Sequence, residues 1–154
     1  MGRYANKKNQ IESASIFQLS LSHGSELVDA DYAYIVIPGI DIKTLQNIFK
    51  KLPIIIQNNK MAQAIQYDTD SYMIIFYKAG EVTLNNIYKL TVNKPSIIHL
   101  KKEMNTWQIC ISDPLHKQEK TKIRISKKGH SKTCTILFPT GINKGKSIES
   151  TLNL

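Results

Sequence analysis

The stretch Trp107-Gln108-Ile109-Cys110-Ile111-Ser112-Asp113-Pro114 opens on a tryptophan, alternates Ile109 with Ile111, and stops at an Asp-Pro turn. Period-two alternation places every second side chain on one face of a strand, and the proline withdraws a backbone donor where the strand ends. Trp107 is the single tryptophan of the chain. At the head of such a run its ring reads as core, with stacking on a sugar ring as the functional alternative.

Working outward, the same pattern recurs in both directions. Downstream, strands are expected at Lys120 to Ser126, Thr133 to Phe138 and Ser147 to Leu152. Upstream they are expected at Ile97 to Lys101, Tyr72 to Lys78, Ala62 to Tyr67 and Ile54 to Gln57. Turn signals lie between them: Asn58-Asn59, Asp68-Thr69-Asp70, Asn85-Asn86, Asn93-Lys94-Pro95 and Lys128-Gly129. Nearer the start, Phe17, Leu19 and Leu21 alternate up to His23-Gly24, and Tyr32 to Ile37 runs into Pro38-Gly39, which predicts two further strands. Only Asp41 to Leu52 departs from this pattern. Ile42, Leu45, Ile48 and Phe49 fall at helical spacing, with Asp41 as N-cap and Pro53 as the stop, so one short helix is expected near residues 41–51. The fold class is therefore all-β, an antiparallel β-sandwich with one short helix.

The chain has 154 residues, 42% of them hydrophobic, enough for a buried core, and a formal charge of +9. That charge is unevenly placed. Residues 1–77 hold seven basic and seven acidic side chains, and residues 78–154 hold fourteen and five. A domain break is expected near Gln66 to Asp70, where the balance begins to change. A basic surface concentrates polyanions, whether nucleic acid, anionic lipid or acidic polysaccharide, and a solvated, solubilising face is the other reading of the same cations. The densest cluster is Lys120, Lys122, Arg124, Lys127, Lys128 and Lys132, with no acidic residue between Glu119 and Glu149. Lys120, Lys122 and Arg124 alternate and would share one strand face, which makes a basic hairpin the candidate anion-binding patch.

Signatures of catalysis are missing. The four histidines, His23, His99, His116 and His130, are scattered, and no G-x-S-x-G, P-loop or G-x-G-x-x-G occurs. Neither a catalytic residue, a cofactor site nor a metal site is expected in this chain. The pairs Asp29/Asp31 and Asp68/Asp70 sit in turns, where carboxylates commonly cap backbone amides. Cys110 and Cys134 lack CxxC spacing and read as buried free thiols, with a disulfide as the alternative. No stretch reaches the length of a membrane span, no RRM, OB or helix-turn-helix signature supports nucleic-acid binding, and MGRYANKKNQ has no apolar run to make an export signal. Neither a membrane nor nucleic acid is expected as a partner.

Several motifs, in order, resemble the polysaccharide lyases acting on hyaluronan, chondroitin and xanthan. Phe17-x-Leu19-x-Leu21-x-His23-Gly24 followed by Tyr32-Ala33-Tyr34-Ile35-Val36-Ile37-Pro38-Gly39 is similar to the end of that family's large β-sandwich. Ile54-Ile55-Ile56-Gln57-Asn58-Asn59 with Gln63-Ala64-Ile65, then Phe76-Tyr77-Lys78-Ala79-Gly80, continue the likeness. So does Ile109-Cys110-Ile111-Ser112-Asp113-Pro114, with Leu115 where the family has threonine, and Gly2-Arg3-Tyr4-Ala5-Asn6 is similar to the segment before.

The resemblance implies that residues 1–66 end a central β-sandwich domain and residues 67–154 form a small C-terminal one. It implies a parent enzyme, secreted or periplasmic, that cleaves acidic polysaccharide by β-elimination on a uronic acid, with its export signal upstream. In that family a helical toroid carries the catalytic Asn, His, Tyr and Arg. The toroid has no counterpart in this sequence, so no catalytic residue transfers, and His23 is not the family's catalytic histidine. The partners implied are acidic polysaccharide, reached through the parent enzyme, and the catalytic domain of the same parent chain. A free-standing carbohydrate-binding or adhesion module for anionic glycans is the rival reading.

Overall fold

A computed structural model describes residues 18–22, 24–26, 28 and 32–154. Phe17, His23, Asp29, Asp31 and the segment Gly2 to Asn6 lie outside them. The chain divides into two compact units, Met1–Gly39 and Ile40–Leu154.

In the first unit, the described residues carry no strand. This corrects the expectation over residues 18–21 and 32–37. A ladder requires a neighbour, and no strand among the described residues pairs with either segment. Tyr34 and Val36 are open to solvent, 69% and 74% exposed. The rings of Tyr32 and Tyr34, two positions apart, nevertheless stack 6.3 Å apart, 10° from parallel. Gly39 takes φ +69° in the Pro-Gly turn, where a side chain would be strained.

The second unit opens with α1 (Ile42–Ile48), followed by a 3-10 turn at Phe49–Lys51. Asp41 caps α1 as expected, accepting from the Thr44 amide at 2.9 Å and the Thr44 hydroxyl at 2.7 Å. The side-chain bond from Thr44, followed by its backbone bond, holds the Asp41 carboxyl below the usual carboxylate range.

Ten strands follow: β1 (Ile54–Asn58), β2 (Ala62–Asp68), β3 (Ser71–Phe76), β4 (Gly80–Leu84), β5 (Tyr88–Val92), β6 (Ser96–Glu103), β7 (Thr106–Ser112), β8 (Lys120–Lys127), β9 (His130–Leu137) and β10 (Ile148–Asn153). They form a six-stranded sheet, β1-β2-β3-β6-β7-β10, and a four-stranded sheet, β4-β5-β8-β9, with every pairing antiparallel. Among the described residues the observed fold is thus the all-β sandwich with one α-helix. β4 and β5 are the two strands absent from the sequence expectation. The expected boundary at 66/67 falls inside β2, which pairs with β3 on both sides of that point, Gln66 with Tyr72 and Asp68 with Ser71.

Alternation builds the core. From the six-stranded sheet Ala62, Ala64, Tyr72, Ile74, Phe76, Ile98, Leu100, Trp107, Ile109 and Ile111 point inward; Val82, Leu84, Leu90, Val92, Ile123 and Ile125 meet them from the other sheet. Each such large apolar side chain contributes about 1.5–3 kcal/mol on burial. The opposite face of the six-stranded sheet carries Ile55, Met73, Ile75 and Ile97, all solvent-exposed.

Tight hairpins close one end of the sandwich. Asn85 and Asn86 both take positive φ, with the Ile87 amide donating to the Leu84 carbonyl at 3.0 Å, the arrangement of a type I′ turn. Lys128 and Gly129, φ +27° and +80°, join β8 to β9 in two residues. Met104 joins β6 to β7 at φ +54° while 92% exposed, a left-handed position with no packing in return.

Candidate anionic-glycan surface

β8 presents its cations because its alternation is strict: Thr121, Ile123 and Ile125 are buried while Lys120, Lys122 and Arg124 face solvent. Register extends this face across the sheet. Arg124 lies between Thr91 of β5 and Thr133 of β9, and Lys122 lies opposite Thr135. Ser126 sits between Lys89 and Ser131. Along β8 the cations recur about every 7 Å, two strand rises.

Two anchors fix the entry of this strand. Asn93 Oδ1 accepts from the Lys122 amide at 2.7 Å and the Thr121 hydroxyl at 3.0 Å. Asp113, 2% exposed, holds the loop before β8 by accepting from the amides of Leu115 (2.9 Å), Lys117 (2.6 Å) and Gln118 (2.7 Å) and from Gln118 Nε2 (2.9 Å). Burial is the largest influence on that carboxyl and pushes its pKa up. The hydrogen bonds from Gln118, Leu115 and Lys117 together outweigh it and leave the pKa below the usual carboxylate value. The Asp-Pro motif is thus an anchor that aims the basic strand.

The six candidate cations share a hairpin but divide between two places. Lys120, Lys122 and Arg124 occupy the outward face, and Arg124 Nη2 donates to Ser131 Oγ at 3.1 Å. Lys127 has the strand parity of Ile123 and Ile125, so its stem turns toward the hairpin end of the sandwich, where Nζ lies 5.2 Å from the Tyr88 ring centre. Lys128 stands at the turn, and Lys132 pairs with Ile125 across the hairpin. Among the described residues no carboxylate forms an ion pair with any of the six; the pairs present are Lys89–Glu81 at 2.8 Å and Lys101–Glu103 at 2.7 Å.

Trp107 is corrected as a stacking residue. It is 0% exposed, with Tyr88 edge-on at 5.0 Å and Tyr72 tilted at 6.3 Å, so neither ring face can reach a sugar. Burial raises the pKa of the enclosing Tyr72 hydroxyl to about 12, with Asp70 adding to the effect. Cys110 and Cys134 are free, and both are half-buried rather than buried; burial pushes the Cys134 thiol up.

A concavity of about 650 Å³ crosses the outer face of the six-stranded sheet between His99, Lys101, Gln108, Cys110, Glu149 and Thr151. Its polar groups largely satisfy one another. His99 is hydrogen-bonded to Tyr67 Oη, and Glu103 takes both Lys101 and Gln108 Nε2. With Lys101 neutralised and Glu149 in its wall, this groove does not complement a polyanion. No three His, Cys, Asp or Glu side chains gather as a metal site among the described residues, and none of their helices is long and apolar enough to cross a membrane.

Sequence reasoning missed Tyr88 and Lys102, whose Nζ lies 5.8 Å from the Tyr88 ring centre. The signal was present: Tyr88-x-Leu90-x-Val92 alternates directly after an Asn-Asn turn.

This geometry defines an antiparallel β-sandwich domain with one cationic sheet face. Residues 54–122 match the family described as polysaccharide lyase family 8, C-terminal beta-sandwich domain. Chondroitinase-AC of Pedobacter heparinus is 29% identical over 149 residues, covering 94% of this chain and 21% of its own length. A solved chondroitinase AC lyase, from a study of enzyme-oligosaccharide complexes, superposes with a TM-score of 0.66 at 24% identity, over 74% of this chain and 17% of that one. Over residues 54–122 the chain is thus similar to the C-terminal β-sandwich domain of polysaccharide lyase family 8. It spans about a fifth of the length of the chondroitinase it matches.

Proposed function

We propose that this domain is the non-catalytic C-terminal part of an exported lyase that cleaves a hyaluronan- or chondroitin-like polysaccharide by β-elimination. It supports the enzyme's fold and steers anionic substrate toward a catalytic domain elsewhere in the same parent chain. In this reading the residues before Ile40 come from the end of the preceding, central β-sandwich. The observation that carries the steering role is the outward row Lys120, Lys122 and Arg124, free of ion pairs among the described residues, in a domain similar to that of a lyase family. Exposed cations of this kind act collectively, each worth at most about 1 kcal/mol, and raise the local concentration of a polyanion without selecting its sequence.

Two measurements test the reading. The purified chain, incubated with hyaluronan, chondroitin or xanthan, is expected to give no absorbance from unsaturated uronide; growth of that signal would put the chemistry in this domain. On immobilised chondroitin or heparin at low salt, the chain is expected to be retained. Lys122→Ser, Arg124→Ser and Lys128→Ser together should release it while leaving the thermal midpoint in place. Failure of the parent chain to bind, or co-elution of the triple variant with it, would remove the steering role. Retention by a protein whose reading frame contains no upstream toroid would instead indicate a free-standing glycan-binding module.

A further inference from the structure

At the hairpin end of the sandwich, cations from both sheets meet one aromatic ring. Tyr88, the first residue of β5, packs edge-on against buried Trp107, which fixes its ring plane. Lys102, from β6 in the six-stranded sheet, brings Nζ to 5.8 Å from that ring centre, and Lys127, from β8 in the four-stranded sheet, brings Nζ to 5.2 Å. Lys127 Nζ also lies 3.5 Å from Tyr88 Oη.

Two like charges directed at one ring repel each other, and a cation-π contact at an exposed site offsets that only weakly. An anion at the phenol would relieve the repulsion and accept a hydrogen bond from Oη as well. The neighbouring carboxylates leave the place open. Glu103 is engaged by Lys101 and Gln108, and Asp70 meets Lys102 through its backbone carbonyl, which accepts the Lys102 amide at 2.8 Å. Neither Lys102 nor Lys127 forms an ion pair among the described residues.

We propose that Tyr88, Lys102 and Lys127 form a subsite for one anionic group, a carboxylate or a sulfate, of an acidic glycan. The inference rests on the glycan-steering reading and adds to it a fixed point at the hairpin end of the sandwich. The outer face of β8 attracts the chain diffusely. This subsite holds one charged substituent between the two sheets, with lysine stems flexible enough to close on it.

Calorimetric titration of the intact chain at low salt tests this, with a hyaluronan hexasaccharide, which has carboxylates alone, and a sulfated chondroitin hexasaccharide. Lys102→Met with Lys127→Met should weaken binding roughly tenfold through loss of two charged contacts. Tyr88→Phe, which keeps the ring on Trp107, should weaken it by a smaller factor. Lys127 is exposed and Lys102 half-buried, and the thermal midpoint checks that the fold is kept. Loss toward both hexasaccharides identifies a carboxylate subsite, and loss toward the sulfated one alone identifies a sulfate subsite. Undiminished binding in the double lysine variant, with loss in a Lys120, Lys122 and Arg124 variant, overturns the subsite and leaves steering intact. Absence of binding by the parent chain overturns both.

Discussion

Replacing Asp113 with asparagine changes almost no volume yet should cost this domain a large part of its stability. Each carboxylate oxygen accepts two hydrogen bonds: Oδ1 from the Leu115 amide and Gln118 Nε2, and Oδ2 from the amides of Lys117 and Gln118. An asparagine amide nitrogen in either position sets a donor against two donors. At about 1.5–3 kcal/mol for a hydrogen bond to a charged group, two lost bonds amount to about 3–6 kcal/mol, and relaxation of a surface loop brings the expectation to about 3 kcal/mol. Against a typical domain stability of about 5–15 kcal/mol, that shift is easily measured. Urea unfolding followed by fluorescence of the single, buried Trp107 reads it directly. The pH dependence gives a second, independent readout. Because the folded pKa of Asp113 is depressed, its contribution is complete above the unfolded carboxylate pKa of about 3.9. It is lost as pH falls through the lower, folded value. The parent protein should therefore lose stability on acidification through that window more steeply than Asp113→Asn. A variant within about 0.5 kcal/mol of the parent, or one with the same acid slope, would refute the anchor.

Trp107→Ala should lower stability by about 3–5 kcal/mol, the usual cost of emptying a large buried aromatic site, as read by the urea midpoint from far-ultraviolet circular dichroism. A stable variant would mean that the ring is not the packing centre described. Met104→Asn should raise stability by about 0.5–1 kcal/mol, because asparagine tolerates the left-handed backbone that methionine occupies at φ +54°. An unchanged or lower thermal midpoint would count against backbone strain at that turn.

Legibility followed burial on one side of a sheet. Trp107, Ile109 and Ile111 could be placed because alternation against a core repeats in the letters, and Asp41 because its cap acts three residues away, on Thr44. β4 escaped because it is five residues long, with Glu81 and Thr83 diluting one apolar pair, and β5 because Lys89 and Thr91 interrupt an equally short run of Tyr88, Leu90 and Val92. Tyr32 to Ile37 misled in the opposite sense. β-branched and aromatic letters state a preference for extended backbone, but a strand exists only when a neighbour supplies the ladder, and sequence does not show the neighbour. The hairpin of cations was legible, as was the shared face of Lys120, Lys122 and Arg124. That Lys127 turns away to meet Lys102 at Tyr88 was not, because this depends on how two sheets distant in sequence are stacked.

The two outer faces of the sandwich oppose each other in their response to salt. One bears Lys120, Lys122 and Arg124; the other bears Ile55, Met73, Ile75 and Ile97 in the open. Rising ionic strength screens the first within about 10 Å at 0.1 M, while strongly hydrated salts such as sulfate strengthen association through the second. The domain is thus adhesive at both extremes through different surfaces and least adhesive between them. In dilute buffer it should settle on a polyanion with its isoleucine face turned to the solvent, and in concentrated sulfate it should turn over.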